Sequence, residues 1–296
     1  MFIIYMVFFW SDLFFFKRKG LKTKARNPLT IKTLPTYLYK KHVGVFILSI
    51  GMVLGGAGTK VYTHLGVLKA LKEYGIKPDV FSAASSGSIV GAFMAAGRGI
   101  EETQEILKKY RFFNFATPGV HTSGIFNLDN LERNLMKQLK ERTFEDLKYP
   151  LFMSVTNLYS GKVEYIRTGP LIPAIKASCA IPFLFAPVKL NGQLYVDGGL
   201  MDDIPYVPLL GRCEHIVASS VSRAREVRKV NNYLDVAMRV VELVMNQDSE
   251  NARRNSDLFI EPEGVEQYGI LEAGHGDELF KLGYEYTKKL IASKLK

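Results

Sequence analysis

From residue 43 the chain reads VGVFILSIGMVL and then stops on GGAGTK. A run so apolar and β-branched, with no polar alternation, describes a strand buried on both faces, as in a parallel sheet covered by helices. The next segments restrict the fold to the same class. VYTHLGVLKALKEYG puts Leu65, Leu68 and Leu71 on one helical face and Lys69, Lys72 and Glu73 on the other, with Gly75 as the stop. IKPDVFSAAS supplies a short second strand, and SGSIVGAFMAAG a small-residue helix able to pack close to its neighbours. Strand, glycine turn, helix, strand, serine turn, helix is a βαβα opening, so an α/β fold with a largely parallel central sheet is expected.

Further helices are predicted over about 101–110, 128–140, 230–254 and 277–294, and further strands over 150–158, 162–169, 192–199, 214–221 and 256–264. No internal repeat interrupts this body, which reads as one domain over 42–296.

The net charge of +10 suggests a nucleic-acid partner until it is located. Residues 17–41 hold nine Lys or Arg and no acid, residues 1–16 hold only Asp12, and the body from 42 onward is left at +2. A near-neutral body behind a basic leader is not a nucleic-acid-binding domain. The leader itself opens MFIIYMVFFWSDLFFF, whose sixteen residues would span roughly 24 Å as a helix, short of the ~30 Å hydrocarbon core. Its aromatic content and trailing cations fit a membrane-surface anchor, with the body on the cytoplasmic side. Cys179 and Cys213 lie far apart in no CxxC pair, and read as two buried or half-buried thiols rather than a disulfide or zinc ligands.

Three turns fall where an α/β sheet gathers functional groups, at strand carboxyl ends: GGAGTK (55–60), AASSG (83–87) and DGG (197–199). GGAGTK has Val61 where a dinucleotide fingerprint needs its third glycine, and no Ser or Thr after GK as a Walker loop requires. Its better use is to aim backbone N–H groups at developing negative charge. In AASSG, Ser85 has small residues at both positions two away, Ala83 and Gly87, as a nucleophile elbow needs; Ser86 has Ala84 and Ser88. DGG brings a carboxylate. Together the turns could supply a nucleophile, a base and oxyanion donors. Of five histidines (His42, His64, His121, His215 and His275), His64 is placed for packing, His42 precedes the body and His215 precedes a strand at the end opposite the expected site. His275, in EAGHGDE, remains as a triad candidate, but none sits in a motif, which favours an Asp base acting directly on serine.

In order and at compatible spacing, IGMVLGGAGTKV, HLGVLKALKE, AASSGSIVGAF, ASCAIPFLFAPV and LYVDGGLMDDIP are similar to the motif series of the patatin-like phospholipase family. The resemblance covers about 48–290. It implies a three-layer α/β/α sandwich, with Ser85 as nucleophile and Asp197 as base of a Ser–Asp dyad. It also implies oxyanion donors in Gly56-Ala57-Gly58, with Lys60, Gly87, Gly198 and Gly199 as motif residues. The implied activity is hydrolysis of lipid acyl esters through an acyl-enzyme, with no metal or cofactor, on lipid substrate at a membrane surface. The chain departs from the family pattern at Ala57, Val61 and Ala83, which replace glycines. A relative that binds lipid or a partner without turnover is the alternative.

Overall fold

The computed structural model describes residues 50–56, 58–109, 117–121, 124–224, 226–227, 229–246 and 249–295. The leader and linker of 1–41, the first part of the predicted strand from 43, and Ala57 lie outside the described residues. Strand β1 (Ile50–Leu54) keeps the expected character, buried at every position. A 3-10 turn over Gly58–Val61 leads into α1 (Tyr62–Glu73), then β2 (Val80–Ala83), α2 (Ser86–Ala95) and α3 (Ile100–Lys109). Next come a hairpin of β3 (Thr117–His121) and β4 (Gly124–Asn127), helix α4 (Asp129–Gln138), and strands β5 (Leu151–Asn157) and β6 (Lys162–Ile166). The chain continues through α5 (Leu171–Ser178), β7 (Val188–Leu190), β8 (Gln193–Asp197), the short α6 (Gly199–Asp202) and β9 (His215–Ser219). Helices α7 (Tyr233–Met245) and α8 (Ser249–Arg254), strand β10 (Leu258–Ile260) and α9 (Gly276–Leu295) complete it.

The main sheet has the order β10-β9-β1-β2-β5-β8-β7, with β6 also paired to β5. β10, β9, β1, β2 and β5 are mutually parallel. From β1 the chain moves first to β2 on one side and later to β9 on the other, so the strand order reverses at β1. The crevice outside its carboxyl end is where α/β sheets hold their ligands.

β1 shows how the sheet is covered. Ile50, Met52 and Leu54 join a core built with Leu65, Leu68 and Leu71 of α1, Ile89, Val90 and Phe93 of α2, and Leu279 and Ile291 of α9. Val53 points the other way, to Ile204, Leu209, Cys213 and Ala252 of α8. Period-2 alternation thus feeds two apolar layers, one helical and thick, one thinner. Cys179 and Cys213 are both buried and in no disulfide among the described residues, as the sequence suggested.

The predicted helix 230–254 is two helices, because Asn246 closes α7. Its side-chain amide donates to Glu242 O at 2.8 Å and its Oδ1 accepts the Ala224 N–H at 3.0 Å, a tertiary tie that no local periodicity reveals. Helix α5 and strand β7 were not expected from periodicity, since α5 is apolar on nearly every side.

Candidate active site

The carboxyl ends of β1, β2 and β9 define the crevice, and Ser85 stands at the second of these. Its backbone adopts φ 48° and ψ −131°, a left-handed φ that costs a residue with a Cβ about 1–2 kcal/mol. Such strain at the junction of strand and helix is what turns an elbow serine outward. The turn is held from behind by Ser178, at the end of α5. Ser178 Oγ accepts the Ser85 N–H at 2.9 Å and donates its proton to Ser154 O at 2.9 Å. With that proton spent, the 2.9 Å contact between Ser88 and Ser178 must have Ser88 donating. Replacing Ser178 with Ala strands the Ser85 N–H in a buried turn. Ser178→Ala is expected to cost about 1–3 kcal/mol of stability, read from a denaturant midpoint, and to slow any reaction of Ser85.

Asp197 arrives by a route the sequence did not announce. Its strand β8 runs antiparallel to β5, so a shared carboxyl edge does not bring the two residues together. Register does. Ala83 is opposite Met153 on β5, and Asp197 is opposite Val155, two residues further along. Ser85 Oγ donates to Asp197 Oδ2 at 2.6 Å, and Gly199 N–H donates to Oδ1 at 2.8 Å. The carboxyl is 1 % exposed, and burial outweighs both hydrogen bonds, raising its pKa to about 7. A carboxylate poised there can exchange a proton with a neighbouring hydroxyl at neutral pH.

The glycine turn is fixed at two points. His64, expected merely to pack, is buried and bridges the carboxyl ends of β1 and β9. Nε2 lies 2.8 Å from Gly55 O and Nδ1 2.8 Å from Ser219 Oγ. A carbonyl can only accept, so Nε2 carries the proton and Nδ1 accepts from the serine hydroxyl. Burial lowers the His64 pKa to about 4, so the ring stays neutral. One residue on, the Gly56 N–H donates to Asp203 Oδ1 at 3.1 Å. That N–H, expected to face an oxyanion, is committed to a carboxyl group instead. Ala57 lies outside the described residues. Gly58 has φ 58°, and a Cβ there would sit 1.9 Å from Ile270 O, so only glycine fits. Lys60 is buried in the turn that follows.

Val61 and Ala83, the other two departures from glycine, are both fully buried in the core beneath the turn. His275 does not approach the dyad: it pairs with Glu278 at 3.0 Å and Glu272 at 3.3 Å. His215 sits at the amino end of β9, near Asp257. Ser178, His64 and Asp203 are the site residues that the sequence reading passed over, although all three lie inside motifs it quoted. Asp203 is the least obvious, because DD in LYVDGGLMDDIP looks like a solvated acidic pair, whereas Asp203 is 1 % exposed.

Residues 52–210 match the family model described as Patatin-like phospholipase. An uncharacterized NTE family protein of Mycobacterium bovis is 32% identical over 164 residues, covering 55% of this chain and 46% of its own. Lysophospholipase NTE1 of Mycosarcoma maydis is 26% identical over 280 residues, covering 82% of this chain and 15% of that one. The chain therefore spans less than half the length of these curated relatives. Among solved structures, VipD from Legionella pneumophila superposes with a TM-score of 0.50 at 19% identity, over 82% of this chain and 66% of that one, which supports the fold alone. With more than half of its length matched by the family model, the chain belongs to the patatin-like phospholipase family.

Proposed function

We propose that this chain is a serine acyl hydrolase of lipid esters that works through Ser85 and Asp197. The observation that carries the proposal is the 2.6 Å hydrogen bond from a strained elbow serine to a buried carboxylate with no histidine between them. In this reading Asp197, ionised, accepts the Ser85 proton as Oγ attacks the ester carbonyl. The same proton then passes to the departing alcohol, leaving an acyl-enzyme. Asp197 next takes a proton from water, the hydroxide adds to the acyl carbonyl and displaces Ser85 Oγ, and Oγ takes that proton back as the fatty acid leaves. The oxyanion falls to N–H groups of the turn beyond Gly56, Gly58 among them. The test is fatty-acid release from lysophospholipid, diacyl phospholipid and neutral lipid. Release that disappears in Ser85→Ala supports the hydrolase; no release from any of them favours the binding protein.

Asp203 gives the reaction a second pH dependence. Its pKa is raised well above the ordinary carboxylate value by burial first, against the Ser222 hydrogen bond; repulsion from Asp197 and Asp202 adds to the rise and the Gly56 N–H opposes it. The group therefore holds its proton to a higher pH than an ordinary carboxyl does. Raising the pH activates the enzyme through Asp197 near 7, and ionising Asp203 as well puts a second negative charge beside the dyad. Asp203→Asn keeps an acceptor for Gly56 without an ionisable proton. Its kcat/KM is expected to stay within about threefold at neutral pH and to lose the alkaline decline of the parent. An unchanged alkaline limb would remove Asp203 from the mechanism.

A further inference from the structure

Helix α7 wears its apolar residues on the outside. Tyr233, Val236, Val240 and Leu243 fall within about a quarter of the helix circumference. They are 96%, 50%, 52% and 45% exposed. Asp235, Arg239 and Glu242 occupy a separate arc, and Val241 and Met245 are buried on the inward side. A helix on a water-facing surface normally turns its apolar stripe to the core, so a second stripe facing solvent calls for a partner. Val227, Val230 and Leu271, each exposed, lie on the neighbouring side of the helix, along the cleft they share with Asp235, Arg239 and Glu242.

The inward side of the same helix roofs the serine. Val241, Met245 and Asn246 line the space over Ser85 with Ile181 and Ile270, and that space is about 20 Å³, room for one water. Two roomier clefts, about 380 and 490 Å³, contain neither dyad residue. Helix α7 therefore forms part of the wall that an acyl chain meets at Ser85. The segment entering the helix, RAREVRKV over 223–230, carries four cations against Glu226, and Arg223 and Lys229 are exposed. An outward apolar stripe on the helix that directly follows such cations in the chain matches a bilayer with anionic headgroups. No helix among the described residues is long and apolar enough to cross a membrane, so contact through this helix is at the surface.

We propose that α7, flanked by Val227, Val230 and Leu271, is the face that docks onto an anionic lipid surface, turning the roof of Ser85 toward the bilayer. The proposal rests on the lipid-hydrolase reading and names the surface by which that site meets its substrate.

The full chain carrying Val240→Cys, labelled with an environment-sensitive fluorophore, is mixed with phosphatidylcholine vesicles containing phosphatidylglycerol. The buried Cys179 and Cys213 are spared by labelling the folded protein. A blue shift at Val240→Cys, and none at Lys77→Cys on another exposed surface, is expected. In parallel, Val236→Glu with Val240→Glu is expected to weaken cosedimentation with these vesicles at least tenfold while hydrolysis of a soluble short-chain ester stays within about twofold. Both positions are exposed, and a thermal melt confirms folding. A label that stays in water, vesicle binding unchanged by the double variant, or a dimer that the variant dissolves without effect on vesicles overturns the proposal. Should every ester resist hydrolysis while the double variant still loses vesicle binding, the docking face stands and the hydrolase reading falls.

Discussion

Asp197→Asn is expected to abolish turnover and to make the protein more stable at neutral pH. The amide cannot accept the serine proton, and loss of a triad carboxylate costs on the order of 10⁴ in kcat even where it only orients the histidine that does the proton transfer. In the proposed dyad the carboxylate is itself the base, so at least that loss is expected. The stability gain has the same origin. Burial raises the folded pKa of Asp197 to about 7 from an ordinary value of 3.8, so the folded chain holds this proton more tightly than the unfolded one. Its stabilising contribution is complete below about pH 4 and is lost as the pH climbs through 7. The difference corresponds to roughly 4 kcal/mol at most. The substituted amide carries no charge to desolvate and should escape the loss. Melting curves at pH 5 and pH 8 decide it: the parent should lose stability between them and the variant should lose much less. Parallel curves would mean that the carboxyl is not buried as a charge.

The second large effect concerns the serine itself. Ser85→Ala and Ser85→Gly should both lower kcat by about 10⁶, the loss seen when the nucleophile is removed from an intact triad. Their stabilities should differ in an unusual direction. Glycine ordinarily costs about 0.5–1 kcal/mol relative to alanine through backbone entropy. At φ 48° the alanine Cβ is strained and the glycine is not, so Ser85→Gly should be the more stable of the two. Equal stabilities, or a less stable glycine variant, would indicate that the elbow carries no strain.

Much of the frame was legible because it depends on local pattern. The buried run ending at Leu54, the helix after it and the small-residue helix from Ser86 follow from periodicity and turn residues alone. Ser85 could be chosen over Ser86 because an elbow tolerates only small neighbours two places away. What stayed hidden is set by register and by contacts between distant segments. No local rule says that β8 runs antiparallel or that Asp197 stops beside Val155. Gly56 was a reasonable oxyanion donor until Asp203, 147 residues later, took its N–H. His64 looked like packing because helical spacing shows which side is buried, not that both ring nitrogens find partners there. Ser178 carried no signal beyond its place in a quoted motif, since its function is to hold another residue's backbone. The outward stripe of α7 is hidden for a related reason. Periodicity within 230–254 marks an apolar stripe without saying which way it faces, and Leu234, Val236, Val240 and Leu243 are exposed.

The central claim is that Ser85 is a nucleophile activated by Asp197, and covalent labelling tests it most directly. The folded chain is treated with a fluorophosphonate probe, digested, and the modified peptide sequenced by mass spectrometry. One adduct on Ser85 is expected, retained in Ser86→Ala and absent in Ser85→Ala, with a labelling rate that rises through pH 7 as Asp197 ionises. Folded protein that takes no label, or that carries it on a different serine, would contradict the claim.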